Sequence, residues 1–127
     1  MTKLRIVPIL LLALILSSCG GAPKEVIDSA IATFDNDIDC HPNEDWYRGG
    51  ECRDFKVSFA ERKTLTGAHK ANGIDAAWCL QIDYIWKSDA GGEWKQNSRG
   101  FYVTQLGDEY IAQPLSFWSD MDDCLSR

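Results

Sequence analysis

The sequence predicts an α+β domain in which one amphipathic helix packs on a four-stranded antiparallel sheet. Three observations lead to this fold class. Apolar residues recur at helical spacing after Pro23, four later segments alternate between apolar and polar residues, and turns rich in glycine or aspartate separate those segments. Two disulfides are expected to stabilise this small domain.

The predicted helix spans residues 24–34. Its apolar face consists of Val26, Ile27, Ala30, Ile31 and Phe34. Pro23 suits the first turn because its missing N–H has no partner there in any helix. Acidic residues crowd the other end of the helix: Asp35, Asp37 and Asp39. Negative charge at that end costs about 0.3–1 kcal/mol per residue, so we expect either that the helix stops near Phe34 or that a cation such as Arg48 or Arg53 compensates.

Four strands are predicted from residue 53 onward. The first alternates around Val57, and the second, residues 78–86, carries the strongest period-two pattern. The third spans residues 94–106, with a bulge expected at Gly100. The fourth spans residues 110–115, where Pro114 marks a sheet edge or a strand end.

The connections and the tail follow from turn chemistry. The stretch TGAHKANG is read as a loop, and Gly107-Asp108 suits a two-residue hairpin turn. A short helical turn is expected at the end of the chain, formed by Phe117, Trp118, Met121 and Leu125.

This order of one helix and four sequential strands is similar to that of the cystatin-like or NTF2-like superfamily, in which a curved sheet wraps around a helix. The resemblance is one of topology and covers residues 24–127. It implies the fold alone, because enzymes, inhibitors and binding modules all share it.

The first residues have the pattern of a secretory signal peptide. Lys3 and Arg5 precede an apolar run over residues 6–16. A membrane-spanning helix needs about 20 apolar residues, and this run is much shorter. Cleavage of the signal would place the mature chain outside the cytoplasm.

The residues Leu16-Ser17-Ser18-Cys19 resemble the bacterial lipobox. This resemblance implies that residues 1–18 are removed, that Cys19 is lipidated and that residues 19–23 form a short tether to a domain at 24–127. Gly20 follows the cysteine, where an aspartate would retain such lipoproteins at the inner membrane. The implied location is the outer membrane, facing the periplasm, with the membrane bound through Cys19.

The charge of the chain restricts its partners. The formal net charge is −6, and removal of Lys3 and Arg5 with the signal makes the mature chain more acidic still. An acidic surface disfavours nucleic acid as a partner. Basic proteins, cations and neutral glycans remain compatible with it.

Four cysteines remain after Cys19, and in an oxidising compartment they predict two disulfides. Three connectivities are possible. We favour Cys40 with Cys52, which closes a loop rich in turn formers, and Cys79 with Cys124, which ties the tail to a strand. A metal site at the first pair would lack the closely spaced ligand pairs that zinc sites usually show.

No motif in the sequence indicates catalysis or a cofactor. The two histidines, His41 and His69, lie in predicted loops, and no serine stands in a nucleophile motif. The alternating aspartates of DNDIDC resemble the start of a calcium loop. However, Cys40 replaces the loop glycine and Trp46 replaces the bidentate glutamate, so we expect no metal.

Trp46 and Tyr47 are the candidate binding residues. They lie between turn formers in the Cys40–Cys52 loop, outside any period-two pattern, and aromatic residues often dominate interfaces. The expected function is therefore non-catalytic, namely binding or modulating an envelope protein. The alternatives are a small-ligand or glycan module with a pocket between helix and sheet and, third, an enzyme.

Overall fold

The structure is a computed structural model, and it describes residues 21–41, 49–116 and 121–126. The elements in these ranges are α1 Lys24–Ala32, β1 Gly50–Arg62, α2 Gly67–Ala71, β2 Ala76–Ser88, β3 Lys95–Leu106, β4 Glu109–Pro114 and α3 Met121–Leu125. The four strands form one antiparallel sheet in the order β1-β2-β3-β4. The predicted α+β fold is confirmed. Within the described ranges, no helix is both long and apolar enough to cross a membrane.

Helix α1 covers one face of the sheet, which we call the helix face. The helix and the turn after it contribute Val26, Ala30 and Phe34, and all three are buried. The sheet contributes side chains that are fully buried: Leu80, Ile82, Phe101 and Val103. Each such side chain stabilises the fold by about 1.5–3 kcal/mol relative to exposure. The period-two pattern of β2 therefore arises from burial of alternate residues against α1.

Helix α3 covers one end of the opposite face, which we call the open face. The disulfide between Cys79 of β2 and Cys124 of α3 holds it there, and both residues are fully buried. The second disulfide, Cys40 to Cys52, joins the segment after α1 to the start of β1. Both predicted pairings are confirmed.

Helix α1 ends earlier than predicted, and a different cation pairs with one of the three aspartates that follow it. A 3-10 turn over Thr33–Asn36 follows the helix. Arg99 of β3 then forms an ion pair with Asp37. The guanidinium of Arg53 instead lies 3.8 Å from the ring centre of Trp94, and Arg48 lies outside the described residues. Only strand register brings Arg99 to this position.

The expected bulge at Gly100 is wrong. Gly100 pairs with Gln81 in an unbroken register, and the irregularities lie in β1, between Arg53 and Lys56 and between Val57 and Phe59. A Cβ on Gly100 would lie 2.7 Å from the Cε of Met121 and 2.9 Å from the Cδ1 of Leu115. The glycine is therefore explained by close packing of the C-terminal segment.

The stretch TGAHKANG is partly helical rather than a loop. Helix α2 starts after Thr66, whose hydroxyl accepts the backbone N–H of His69 at 3.3 Å. In return, Nδ1 of His69 accepts the backbone N–H of Thr66 at 3.0 Å. This is a capping box with histidine in the place of the usual glutamate or glutamine. Because His69 takes the place of the usual glutamate or glutamine, the start of this helix could not be recognised from the sequence.

Candidate functional site

Polar side chains from three strands form one hydrogen-bonded cluster on the open face. Gln81 Nε2 donates to Ser98 Oγ at 2.6 Å, and Ser98 Oγ donates to Asp83 Oδ1 at 2.9 Å. From β1, Ser58 Oγ donates to the same Asp83 oxygen at 3.1 Å. We call these four residues the Asp83 cluster. They converge because the register places Asp83 opposite Ser98 and next to β1.

The Asp83 cluster fixes the orientation of a partly exposed carboxylate. The bonds from Gln81 to Ser98 and from Ser98 to Asp83 run in one direction, so each polarises the next. Oδ1 of Asp83 accepts two hydroxyls, whereas Oδ2 has no hydrogen-bond partner among the described residues. The arrangement thus presents one oriented acceptor to an approaching molecule, with little rotamer freedom left to lose.

Two shallow clefts meet at this cluster. One, of about 670 Å³, extends from Gln81 and Ser98 towards Asp54 and Lys56. The other, of about 520 Å³, extends from the same two residues towards the C-terminal segment. Its far wall contains Leu115 and Met121. Together they make a continuous groove across the open face, polar in the middle and apolar at one end, which we call the open-face groove.

Trp94 stands beyond the polar end of this groove. Its ring is half-buried because the guanidinium of Arg53 covers one side at 3.8 Å, and the ammonium of Lys87 lies 6.0 Å from the ring centre. Cation–π contacts of this kind stabilise by about 0.5–1 kcal/mol at exposed sites. Since Arg53 occupies one face of the indole, that face is not available for stacking on another group.

The side chains around the groove offer both hydrogen-bond acceptors and donors. The hydroxyls of Ser58 and Ser98 both donate to a carboxylate, and His69 is engaged in the α2 cap. Nε2 of His41 is buried without a partner in the described ranges. Those ranges also contain no cluster of histidine, cysteine, aspartate or glutamate that could hold a metal ion.

The structure does not describe the predicted binding residues. Trp46 and Tyr47 fall in 42–48, and Cys19 precedes Gly21, so all three lie outside the described residues. Their roles stay predictions. The described parts of the Cys40–Cys52 loop are its two ends, residues 40–41 and 49–52, which the disulfide joins where β1 begins.

The open-face groove could not be recognised from the sequence. Gln81, Asp83 and Ser58 are polar positions of alternating strands, and Ser98 lies in no motif. Only the register between three strands brings these residues together. Adjacent polar positions on neighbouring strands would have been a usable signal once the pairing of β2 and β3 was known.

The interface between α1 and the sheet is filled by side chains. Phe34 contacts the rings of Tyr84 and Phe101 at centroid distances of 4.8 and 5.5 Å. Burial raises the pKa of the Tyr84 hydroxyl, and the nearby Arg99 opposes this effect in part. A ligand pocket between helix and sheet was one alternative from the sequence. The two clefts described above are instead centred on the open-face residues Gln81 and Ser98.

Comparisons with protein-family models, curated proteins and solved structures find no match to this chain.

Proposed function

We propose that this chain is a lipid-anchored protein of the bacterial cell envelope, held at the outer membrane and facing the periplasm. The lipobox-like residues 16–19 support the anchor. The two disulfides support an oxidising compartment. Because they use four of the five cysteines, Cys19 is left without an intramolecular cysteine partner, as lipidation requires.

The proposed role is non-catalytic binding or modulation of an envelope protein, and the observation that carries it is the open-face groove. Small ligands are usually buried over most of their surface in deep cavities. This groove is shallow and open, which suits the surface of a macromolecule. The Asp83 cluster supplies preorganised hydrogen bonds at its centre, and Leu115 and Met121 supply an apolar wall. Trp46 and Tyr47 remain the predicted aromatic part of the contact.

Substitution of Gln81 and Ser98 by alanine tests this surface. The double variant should recover several-fold less crosslinked envelope protein, because both side chains line both clefts. Its melting temperature should fall by only several degrees, since the two hydrogen bonds that are lost are exposed and each contributes about 0.5–1.5 kcal/mol. Quantitative mass spectrometry after crosslinking in the native envelope measures the recovery.

A matched control uses the same residue types outside the groove. Gln113 and Ser126 are both exposed, and their double alanine variant should recover partners like the wild type. Equal losses in the two variants, or unchanged recovery in the groove variant, would exclude the open face as the contact surface.

A saccharide chain is the second candidate partner, and the Asp83 cluster favours it specifically. Sugar hydroxyls donate and accept at once, which matches an oriented carboxylate oxygen beside the Gln81 amide. The acidic mature chain disfavours an anionic ligand, whereas a neutral glycan carries no such penalty.

Calorimetric titration with a neutral tetramer of N-acetylglucosamine tests this second candidate. The mature protein is kept in a zwitterionic detergent, which has no sugar headgroup to compete. Asp83→Asn should weaken binding about tenfold, because hydrogen bonds to a charged acceptor contribute more than neutral ones. Asp108→Asn removes an exposed carboxylate in the turn between β3 and β4 and should change nothing. If millimolar saccharide gives no binding heat, the saccharide candidate is excluded.

A further inference from the structure

The segment that enters the domain from the N-terminus is packed on one side of the sheet. Gly21 has φ +72, and a Cβ at this position would lie 2.4 Å from the carbonyl oxygen of Ala60 in β1. Ala22 is only 3% exposed and belongs to the helix-face core. The packed part of the chain therefore begins before the domain boundary expected at residue 24. Any anchor at the N-terminus joins the domain beside Ala60.

The chain between this contact and Cys19 is very short. Two residues reach at most about 7 Å, compared with the longer tether expected over residues 19–23. Along β1, Gly50 lies ten residues before Ala60 and pairs with Ser88 at the opposite end of the sheet. At about 3.3 Å per residue, that end lies about 30 Å from Ala60. The reach of the tether is thus small compared with the length of the sheet.

We infer that the Ala60 end of β1 faces the lipid headgroups and that the turn between β2 and β3 points away from the membrane. This inference rests on the proposed lipid anchor at Cys19. The exposed side chains beside the contact have mixed charges, since Lys24 and Arg62 accompany Glu61. Headgroups neither strongly attract nor repel such a surface, so the tether determines which side faces the membrane.

This orientation leaves the open-face groove accessible. The N-terminal segment runs on the helix face, because Ala22 packs among the residues of that core. The groove lies on the opposite face, where its central residues Asp83 and Ser98 belong to β2 and β3 rather than to β1. A partner in the periplasm can therefore reach the groove while the anchor is inserted.

Photocrosslinking to lipid tests the orientation in the full, lipidated protein. Benzoylphenylalanine replaces either Glu61, beside Ala60, or Glu93, in the turn between β2 and β3; both residues are exposed. We expect lipid adducts at position 61 in several-fold higher yield than at position 93. Adding Gly21→Ala should reduce the yield at position 61, because a Cβ cannot fit against Ala60.

Intact mass measurement of Cys19 on the same samples separates the two proposals. A lipidated Cys19 with equal yields at positions 61 and 93, or with a higher yield at 93, would overturn the orientation alone. An unmodified Cys19 would overturn both the anchor and the orientation. If Gly21→Ala unfolds the domain, the ratio of the lipid-adduct yields at positions 61 and 93 in the chain that keeps Gly21 still tests the orientation.

Discussion

Replacement of both Cys79 and Cys124 by alanine is expected to lower the free energy of unfolding by about 4 kcal/mol. The two residues are 45 positions apart in the sequence, and the loop-closure relation gives about this value for a loop of that length. A five-residue helix such as α3 is not stable by itself. Without the disulfide, α3 would be held on the sheet only by its non-covalent contacts.

Lys63 makes the main polar contact of this kind. Its side chain is buried, and Nζ donates to the carbonyls of Cys124 at 2.7 Å and Leu125 at 2.9 Å, at the carboxyl end of α3. A cation at that end is favourable. However, a lysine left there after α3 detaches would regain water and lose these bonds. The disulfide and Lys63 therefore hold the same helix. Loss of the disulfide also weakens the hydrogen bonds of Lys63, because they form only while α3 is docked.

Thermal unfolding followed by circular dichroism measures the effect. About 4 kcal/mol corresponds to a decrease of about 20 °C for a domain of this size. The matched control removes Cys40 and Cys52, which are 12 positions apart, and should cost about 3 kcal/mol by the same relation. If the Cys79/Cys124 variant melts within a few degrees of the wild type, packing alone holds α3 and the argument from loop closure fails.

The fold and its disulfides could be predicted because the period-two pattern along each strand agrees with the order in which the strands pair. Trp78, Leu80 and Ile82 alternate with polar or small residues, and burial against α1 is what makes that alternation necessary. Sequential strands with short turns then leave few topologies open. The preferred cysteine pairing could be predicted because one pair closes a loop rich in turn formers and the other ties the C-terminal tail to a strand.

Features that depend on register could not be predicted. Arg99 reaches Asp37 only because β3 runs beside the segment that follows α1. The two residues are 62 positions apart in the chain. Gly100 carries no local sign that Met121 will pack on it. The Asp83 cluster has the same origin, since its members come from three strands. A single sequence shows which residues alternate, but it does not show which polar residues will be neighbours across strands.

Cys19→Ala is expected to leave either an uncleaved precursor or a soluble species in place of the lipidated mature protein, which partitions with membranes. Each methylene of an acyl chain buried in the bilayer contributes about 0.8 kcal/mol, so two or more chains anchor a protein stably. Without the thiol no chain can be attached at this position. Fractionation of the envelope with intact mass measurement detects both the location and the modification.

The matched control for this change is Ser18→Ala, which keeps a small residue before the cysteine and should preserve lipidation. The folded domain should be unaffected by Cys19→Ala, because the contacts that the structure describes for this segment are made by Gly21 and Ala22, which the change leaves in place. An unchanged melting temperature together with complete loss of lipidation would separate anchoring from folding. Wild-type mature protein found free in the periplasm with an unmodified Cys19 thiol would show that the lipoprotein proposal is wrong. The short tether and the orientation derived from it would then lose their basis. The open-face groove would instead be the binding surface of a protein without a lipid anchor.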